Sequence, residues 1–293
     1  GAGDDAAVLR QSNGAFQVIS TDHLRSLIDD PALMTRIAAV HALGDVWAMG
    51  AQPQVGLASI VVPQMSADLQ ARTLSEITQV ATEVLSAAGA QLVGGHTTMG
   101  AELTIGFTVT GRKDTMPLTV SGAQPGDVLI LTRPIGSGVI LAADMEGHAH
   151  GRFVAAVLAI MGQAQDREAA VLAPVAHAMT DVTGFGLAGH VKAICEASGL
   201  DAELWQAAIP IYAGAQALSD AGVASTLMPV NRTDALIQGG ADALLYDPQT
   251  AGGLLAAVPA EQSGAVIDAL GATGCMGHVI GRLTKGNGHM GLR

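Results

Sequence analysis

Aromatic residues supply only 3% of this chain although 49% of it is apolar, so any core must be built from Ala, Val, Leu, Ile and Met. Side chains that small fill an interior only where helices and sheets approach closely, and 37 glycines among 293 residues permit that approach. A chain of this length holds one large domain or two ordinary ones. With only 14% charged residues it is not a solvated, disordered polymer.

The charge balance narrows the function classes. A net charge of −12 argues against a nucleic-acid surface, which needs clustered Lys and Arg. Lysine occurs three times, as Lys113, Lys192 and Lys285. A polyphosphate ligand would therefore have to be held through metal ions bridged to carboxylates rather than by a lysine cradle. Two cysteines, Cys195 and Cys275, make neither a disulfide framework nor a metal knuckle. No apolar run approaches the ~18 residues of a membrane span, and a cytoplasmic setting is expected.

Local signals predict a chain of mixed elements. A short strand is expected over 16–21, and Asp30-Pro31 marks a helix start, an Asp cap before proline at the first helical position. That helix should run to about Gly50, followed by a strand over 54–62. Ser66 should cap a second helix with Leu69, Ile77, Val80 and Val84 on its apolar face, and strands follow at 91–93 and 103–109. The stretch 110–126, with three glycines and two prolines, reads as a linker. Beyond it a strand is expected at 127–132, a glycine turn at 136–138, helices near 151–163, 166–178 and 185–198, and strands at 254–258 and 277–283. The predicted fold class is α+β, two mixed α/β domains spanning 1–114 and 115–293.

Several acidic residues admit a metal-holding role beside a bland one. Asp45 interrupts an apolar helix, where an unpaired carboxylate costs several kcal/mol. A metal, or a local pair with His41 one turn earlier, would compensate, and the residues leave both open. Asp4-Asp5 is either turn chemistry or a metal-facing pair. Asp181, in Thr180-Asp181-Val182-Thr183-Gly184-Phe185-Gly186, precedes a helix. It either holds a cation beside an anion bound at the helix N-terminus, or it or Thr183 simply caps that helix. The pairs Gly94-Gly95 and Gly252-Gly253 allow a ligand close to the backbone. Cys195 reads as a buried structural thiol, Cys275 as a poor nucleophile, and His148 and His150 as a solvated loop.

Taken in order, these segments resemble the selenophosphate synthetase (selenide, water dikinase) family of the aminoimidazole ribonucleotide synthetase superfamily. The resemblance runs through Gly3-Asp4-Asp5-Ala6-Ala7-Val8, Ser20-Thr21-Asp22, Asp45-Val46-Trp47-Ala48-Met49-Gly50 and Gly94-Gly95-His96. It continues in Pro125-Gly126-Asp127-Val128-Leu129, the Thr180–Leu187 run and Asp247-Pro248-Gln249-Thr250-Ala251-Gly252-Gly253. It implies two domains of that superfamily's type, the first binding ATP and forming a dimeric β-barrel. It implies Asp5, Asp22, Asp45 and Asp181 as magnesium ligands. It implies Gly3, Asp4, Thr21, Asp22, Asp45, Gly95, His96 and Thr97 as nucleotide contacts, the last three donated across the dimer. The implied reaction turns ATP, selenide and water into selenophosphate, AMP and phosphate.

The departures shape the expectation. The family carries a catalytic Cys or selenocysteine and a nearby Lys ahead of the Asp-Asp motif, and neither Cys195 nor Cys275 stands there, so no catalytic nucleophile is expected within this chain. Gly44 replaces a usual Ser, His41 replaces a frequent Asn, and the loop after His96 is short. His41 and the short loop resemble the version fused behind a flavin-dependent, NADH-dehydrogenase-like domain, and the opening of the chain directly on a motif fits an upstream partner. Two alternatives stand beside this reading: another ATP-dependent enzyme of the superfamily, and a non-catalytic nucleotide-binding module of a fused oxidoreductase.

Overall fold

In a computed structural model describing residues 4–293, the chain divides into two compact units, one of residues 1–117 with 161–166 and one of the remainder. The first unit is built in the order β1 (Ala7–Arg10), β2 (Phe16–Arg25), α1 (Pro31–Ala48), β3 (Gln52–Pro63), α2 (Ala67–Ala87), β4 (Gln91–Gly100) and β5 (Thr104–Lys113). Its sheet runs β1-β2-β5-β3-β4, with β4 parallel to β3 and the other pairs antiparallel.

The start of α1 is set locally. The Asp30 carboxylate accepts from the amides of Ala32 (2.9 Å) and Leu33 (3.0 Å), and Pro31 occupies a position where a missing N–H costs nothing. Twelve of its 18 residues are buried, so α1 is apolar nearly all round and lies between the sheet and α2. Its contact with β5 needs a bare backbone: a Cβ on Gly111 would lie 2.4 Å from Val46 Cγ1 and 2.9 Å from Val18 Cγ2. Ser66 caps α2 as expected, through Leu69 N at 3.4 Å. The inward face of α2 is Thr73, Ile77, Ala81, Val84 and Leu85, whereas Leu69 points outward.

The second unit contains β6 (Val128–Leu131), α3 (Ser137–Met145), α4 (Gly151–Met161), α5 (Asp166–Leu172), β7 (Ala178–Asp181), α6 (Gly186–Ser198) and β8 (Leu200–Leu204). It continues with α7 (Ala215–Asp220), α8 (Met228–Asp234), β9 (Leu254–Val258), α9 (Ser263–Ala272), β10 (His278–Lys285) and β11 (Met290–Leu292). The sheet order is β11-β8-β10-β6-β9-β7. Strands β6, β7 and β9 are buried at every position, which explains their unbroken apolar runs.

Four expectations need correcting. The helix expected over 166–178 stops at Leu172, because Ala178–Asp181 pairs with β9. The strand expected at 91–93 extends to Gly100, carried by pairing with β3. The stretch 110–113 belongs to β5 rather than to a linker, and the 136–138 turn is the start of α3, entered through Gly136. Among the described residues no helix is long and apolar enough to cross a membrane.

Candidate metal and phosphate site

Alternation along β2 sorts the first unit's polar residues onto two faces. Ser20 and Asp22 face α1, on which His41 and Asp45 stand one turn apart. The Ser20 hydroxyl donates to Asp45 Oδ2, and Asp22 Oδ1 lies 3.9 Å from His41 Nε2. Burial pushes His41 below its ordinary pKa, with Asp22 pulling the other way. Asp5 precedes β1, whose pairing with β2 (Ala7 opposite Ile19) brings it alongside. Carboxylate oxygens of Asp5 and Asp45 come within 4.8 Å of one another.

That pair suits a magnesium ion. Magnesium takes oxygen ligands at about 2.0–2.1 Å, so two ligands in one shell sit about 3–4 Å apart. Hard anionic oxygens at this separation, with no thiolate in the group, match its preference.

Thr21 points to the opposite face, where its hydroxyl lies 3.0 Å from that of Thr108. Register places Thr21, Thr108, Leu57 and Gly94 in one row and His23, Gly106, Ser59 and His96 in the next. Thr21 and His96 thus share the face away from α1. Gly95 lies between, in the row of Asp22 and Phe107, on the helix side. Three strand spacings, ~14 Å, separate β4 from β2, so Gly95, His96 and Thr97 do not reach the Asp5–Asp45 pair within this sheet. Asp4 is half-buried at the start of the described chain, and Gly3 lies outside the described residues.

In the second unit Asp181 ends β7, opposite Leu254, and is only 2% exposed. The capping alternative fails, because the N-cap of α6 is Phe185 and makes no side-chain capping bond. The loop after Asp181 is fastened from several sides. Val182 N donates to Gly253 O (2.8 Å), and Gln249 N donates to Thr183 O (3.0 Å). The Asn231 amide donates to Gly184 O (2.8 Å) and Tyr246 O (3.0 Å). Gly252 is required here by the chain itself, since a Cβ would fall 2.0 Å from Val182 O. Gly252 thus serves close packing against the Asp181 loop, and Gly253 close packing against Arg133, whose N a Cβ would meet at 2.5 Å.

Ser20, Asn231 and His190 were not foreseen as site residues. A period-2 reading of β2 would have exposed Ser20 as a partner for Asp45. Asn231 and His190 act across sequence gaps that carry no local signal.

Residues 3–113 match the family described as AIR synthase related protein, N-terminal domain, and residues 124–291 match its C-terminal domain. A selenide, water dikinase of Myxococcus xanthus is 36% identical over 295 residues, covering 97% of this chain and 83% of that protein. The chain belongs to the selenide, water dikinase family. A second relative, selenide, water dikinase 2 of Peptoclostridium acidaminophilum, is 34% identical over 96% of the chain and 83% of its own length. The fold extends further. The tt0281 protein of Thermus thermophilus superposes with a TM-score of 0.76 at 22% identity, over 99% of this chain and 89% of that one. Thiamine monophosphate kinase of Aquifex aeolicus gives 0.73 at 17%, over 100% and 91%. In this member of the selenide, water dikinase family neither cysteine is primed for attack. Burial pushes the Cys195 thiol up to about 12, and burial raises that of Cys275 as well.

Proposed function

We propose that this protein is an ATP-dependent selenide, water dikinase, converting ATP, selenide and water to selenophosphate, AMP and phosphate. The observation that carries the proposal is the 36% identity to a selenide, water dikinase over 97% of the chain. The Asp5–Asp45 pair supports it from the geometry.

In this reading Asp5 and Asp45 of the first unit and Asp181 of the second hold magnesium, with Asp22 beside His41 as a further acid. When bound, magnesium neutralises phosphate charge and supplies the cationic clamp of phosphoryl transfer. The residues of the chain prepare for that role. Ser20 fixes one oxygen of Asp45 and so orients the carboxylate on α1. Two of the three lysines are committed to the fold: Lys113 Nζ reaches Met49 O at 3.5 Å, and Lys192 Nζ donates to Asp234 O at 2.8 Å. Positive charge at the phosphates then comes mainly from metal.

Residues 1–114 are proposed as the ATP-binding and dimerising domain and 115–293 as its α+β companion. Among the described residues, the sheet face carrying Thr21, His23, Leu57 and His96 has no helix of its own unit over it, and Leu57 is 45% exposed. A second copy pairing there would make the barrel and present His96, with Gly95 and Thr97 flanking it in β4, to the partner's nucleotide.

The test is AMP release from ATP in the full-length protein, with and without selenide. Selenide-dependent release, lost in Asp45→Ala and in Asp181→Ala, is expected. Equal ATP consumption without selenide would move the protein to another ATP-using branch of the superfamily.

A further inference from the structure

His190 occupies the second turn of α6, and helical side chains lean back toward the helix N-terminus. Its ring therefore covers the turn that feeds the helix, 180–183, and it is only 7% exposed there. The Thr183 amide donates to His190 Nε2 at 3.0 Å, with the Thr183 hydroxyl 3.3 Å from the same nitrogen. The other nitrogen, Nδ1, lies 3.2 Å from the Thr180 hydroxyl. Thr180 Oγ1 in turn donates to Asp181 O at 3.3 Å.

A backbone N–H can only donate, so Nε2 must present a lone pair. Burial pushes His190 down to about 4, so the ring is neutral and its single proton sits on Nδ1. Nδ1–H then donates to Thr180, whose hydroxyl proton passes the direction on to Asp181 O. All the bonds run one way, and together they clasp Asp181 between two threonines held by one imidazole.

We propose that His190 is the positioning residue of the Asp181 turn, its two ring nitrogens fixing Thr180 and Thr183 so that the carboxylate between them keeps one orientation. The proposal rests on the reading of Asp181 as a magnesium ligand. Magnesium's narrow octahedral tolerance is what makes orientation matter. A merely structural histidine would contribute packing, which Phe185 beside it (ring centroids 5.9 Å apart) and the helix would also feel. A positioning histidine contributes metal affinity as well.

Three measurements on the full-length protein test this. Nitrogen-15 NMR of the unsubstituted protein should show His190 protonated on Nδ1 and bare on Nε2; protonation on Nε2 would overturn the proposal. Mn2+ binding, followed by electron paramagnetic resonance, should weaken about tenfold or more in His190→Phe. His190→Gln, which keeps an acceptor for the Thr183 amide, should recover part of the loss. In turnover the same variants should raise the magnesium concentration needed for half-maximal rate, with kcat at saturating magnesium much less affected. A folded His190→Phe with unchanged Mn2+ affinity refutes the proposal. If that variant does not fold, the tautomer and His190→Gln decide alone, and a Gln variant that keeps the Thr183 amide protected from exchange yet binds Mn2+ no better than ten-fold impaired counts against it. Asp181→Asn separates the two levels: unchanged Mn2+ affinity there sinks the ligand reading, whatever the tautomer of His190.

Discussion

Replacing Asp247 with asparagine perturbs a carboxylate that the second unit buries to 2% exposure. Asp247 Oδ2 accepts from Gly138 N at 2.9 Å and from Gln249 Nε2 at 3.0 Å, at the start of α3. Oδ1 is packed against Gly138, where a Cβ would lie 2.6 Å away. Burial pushes the carboxyl up from 3.8 to about 6, and the amides of Val139, Gln249 and Gly138 only partly offset it. The folded state therefore holds this proton more tightly than the unfolded chain does. Between about pH 4 and pH 6 the native protein binds more protons, so stability falls as pH rises through that window. The ionisation cost is absent below the unfolded pKa and complete above the folded one, at about 3 kcal/mol. The carboxamide of Asp247→Asn cannot ionise, so the variant should lack this slope. Its NH2 must take the place of one oxygen, and leaving it without an acceptor costs about 1–3 kcal/mol at every pH. At pH 4 the variant should thus be about 1–3 kcal/mol less stable than the native protein, and at pH 8 equal to it or slightly more stable, so the informative quantity is the change in mutant-minus-native stability from pH 4 to pH 8. Urea unfolding followed by tryptophan fluorescence across that range should show the variant gaining about 3 kcal/mol relative to the native protein. A constant difference, or one of opposite sign, would refute the reasoning.

Gly111→Val should lower the melting temperature, since the new side chain must displace Val46 and Val18; overpacking of this kind costs about 1–3 kcal/mol, and an unchanged melting curve would show that α1 does not sit tightly on β5. A thiol reagent should label Cys275 in the folded protein and reach Cys195 only on unfolding, because Cys195 is fully buried and its thiol is pushed up to about 12; equal labelling rates would contradict that packing. Leu57→Asp should leave each chain folded but convert a dimer to monomers in sedimentation, and a persisting dimer would place the interface elsewhere than on the bare sheet face.

What could be read from the chain in advance was what short-range physics decides. Asp30-Pro31 and Ser66 set their helix starts through contacts two or three residues away, so both were visible. β4 was cut short because Gly94-Gly95-His96-Thr97 has little strand propensity of its own; its pairing with β3, Ala58 opposite Gly95, is made by residues far away in sequence. The overrun of α5 has the same origin. Val175 and Ala176 continue an apolar pattern that suits a helix, and only the ladder from β9 and the His177–Asp127 contact (2.9 Å) commit the following residues to a strand. At the site, Asp45 was conspicuous because a carboxylate in an apolar helix demands compensation. Its partner Ser20 was not, because the bond spans 25 residues and depends on α1 lying across β2. The His41–Asp45 pair weighed for it has a competitor in Asp22, which stands 3.9 Å from His41.

The location of the acids follows from what they are proposed to hold. A loop can place a carboxylate near a cation, but magnesium demands near-octahedral ligands at fixed short distances and tolerates little wandering. Asp45 lies within α1, Asp22 within β2, and Asp181 at the end of a strand buried at every position. Each is therefore carried by hydrogen-bonded backbone, and Asp45 is further held by Ser20. Placing charge on such elements costs stability, because a helix interior and a buried strand are poor surroundings for a carboxylate. A chain with this few aromatics and this many alanines would gain more from an apolar residue at each position. Asp5 alone precedes its strand; the presence of the other three on rigid elements, rather than on the loops where acids are cheap, is what a metal requiring preorganised ligands explains and a solvated acidic surface does not.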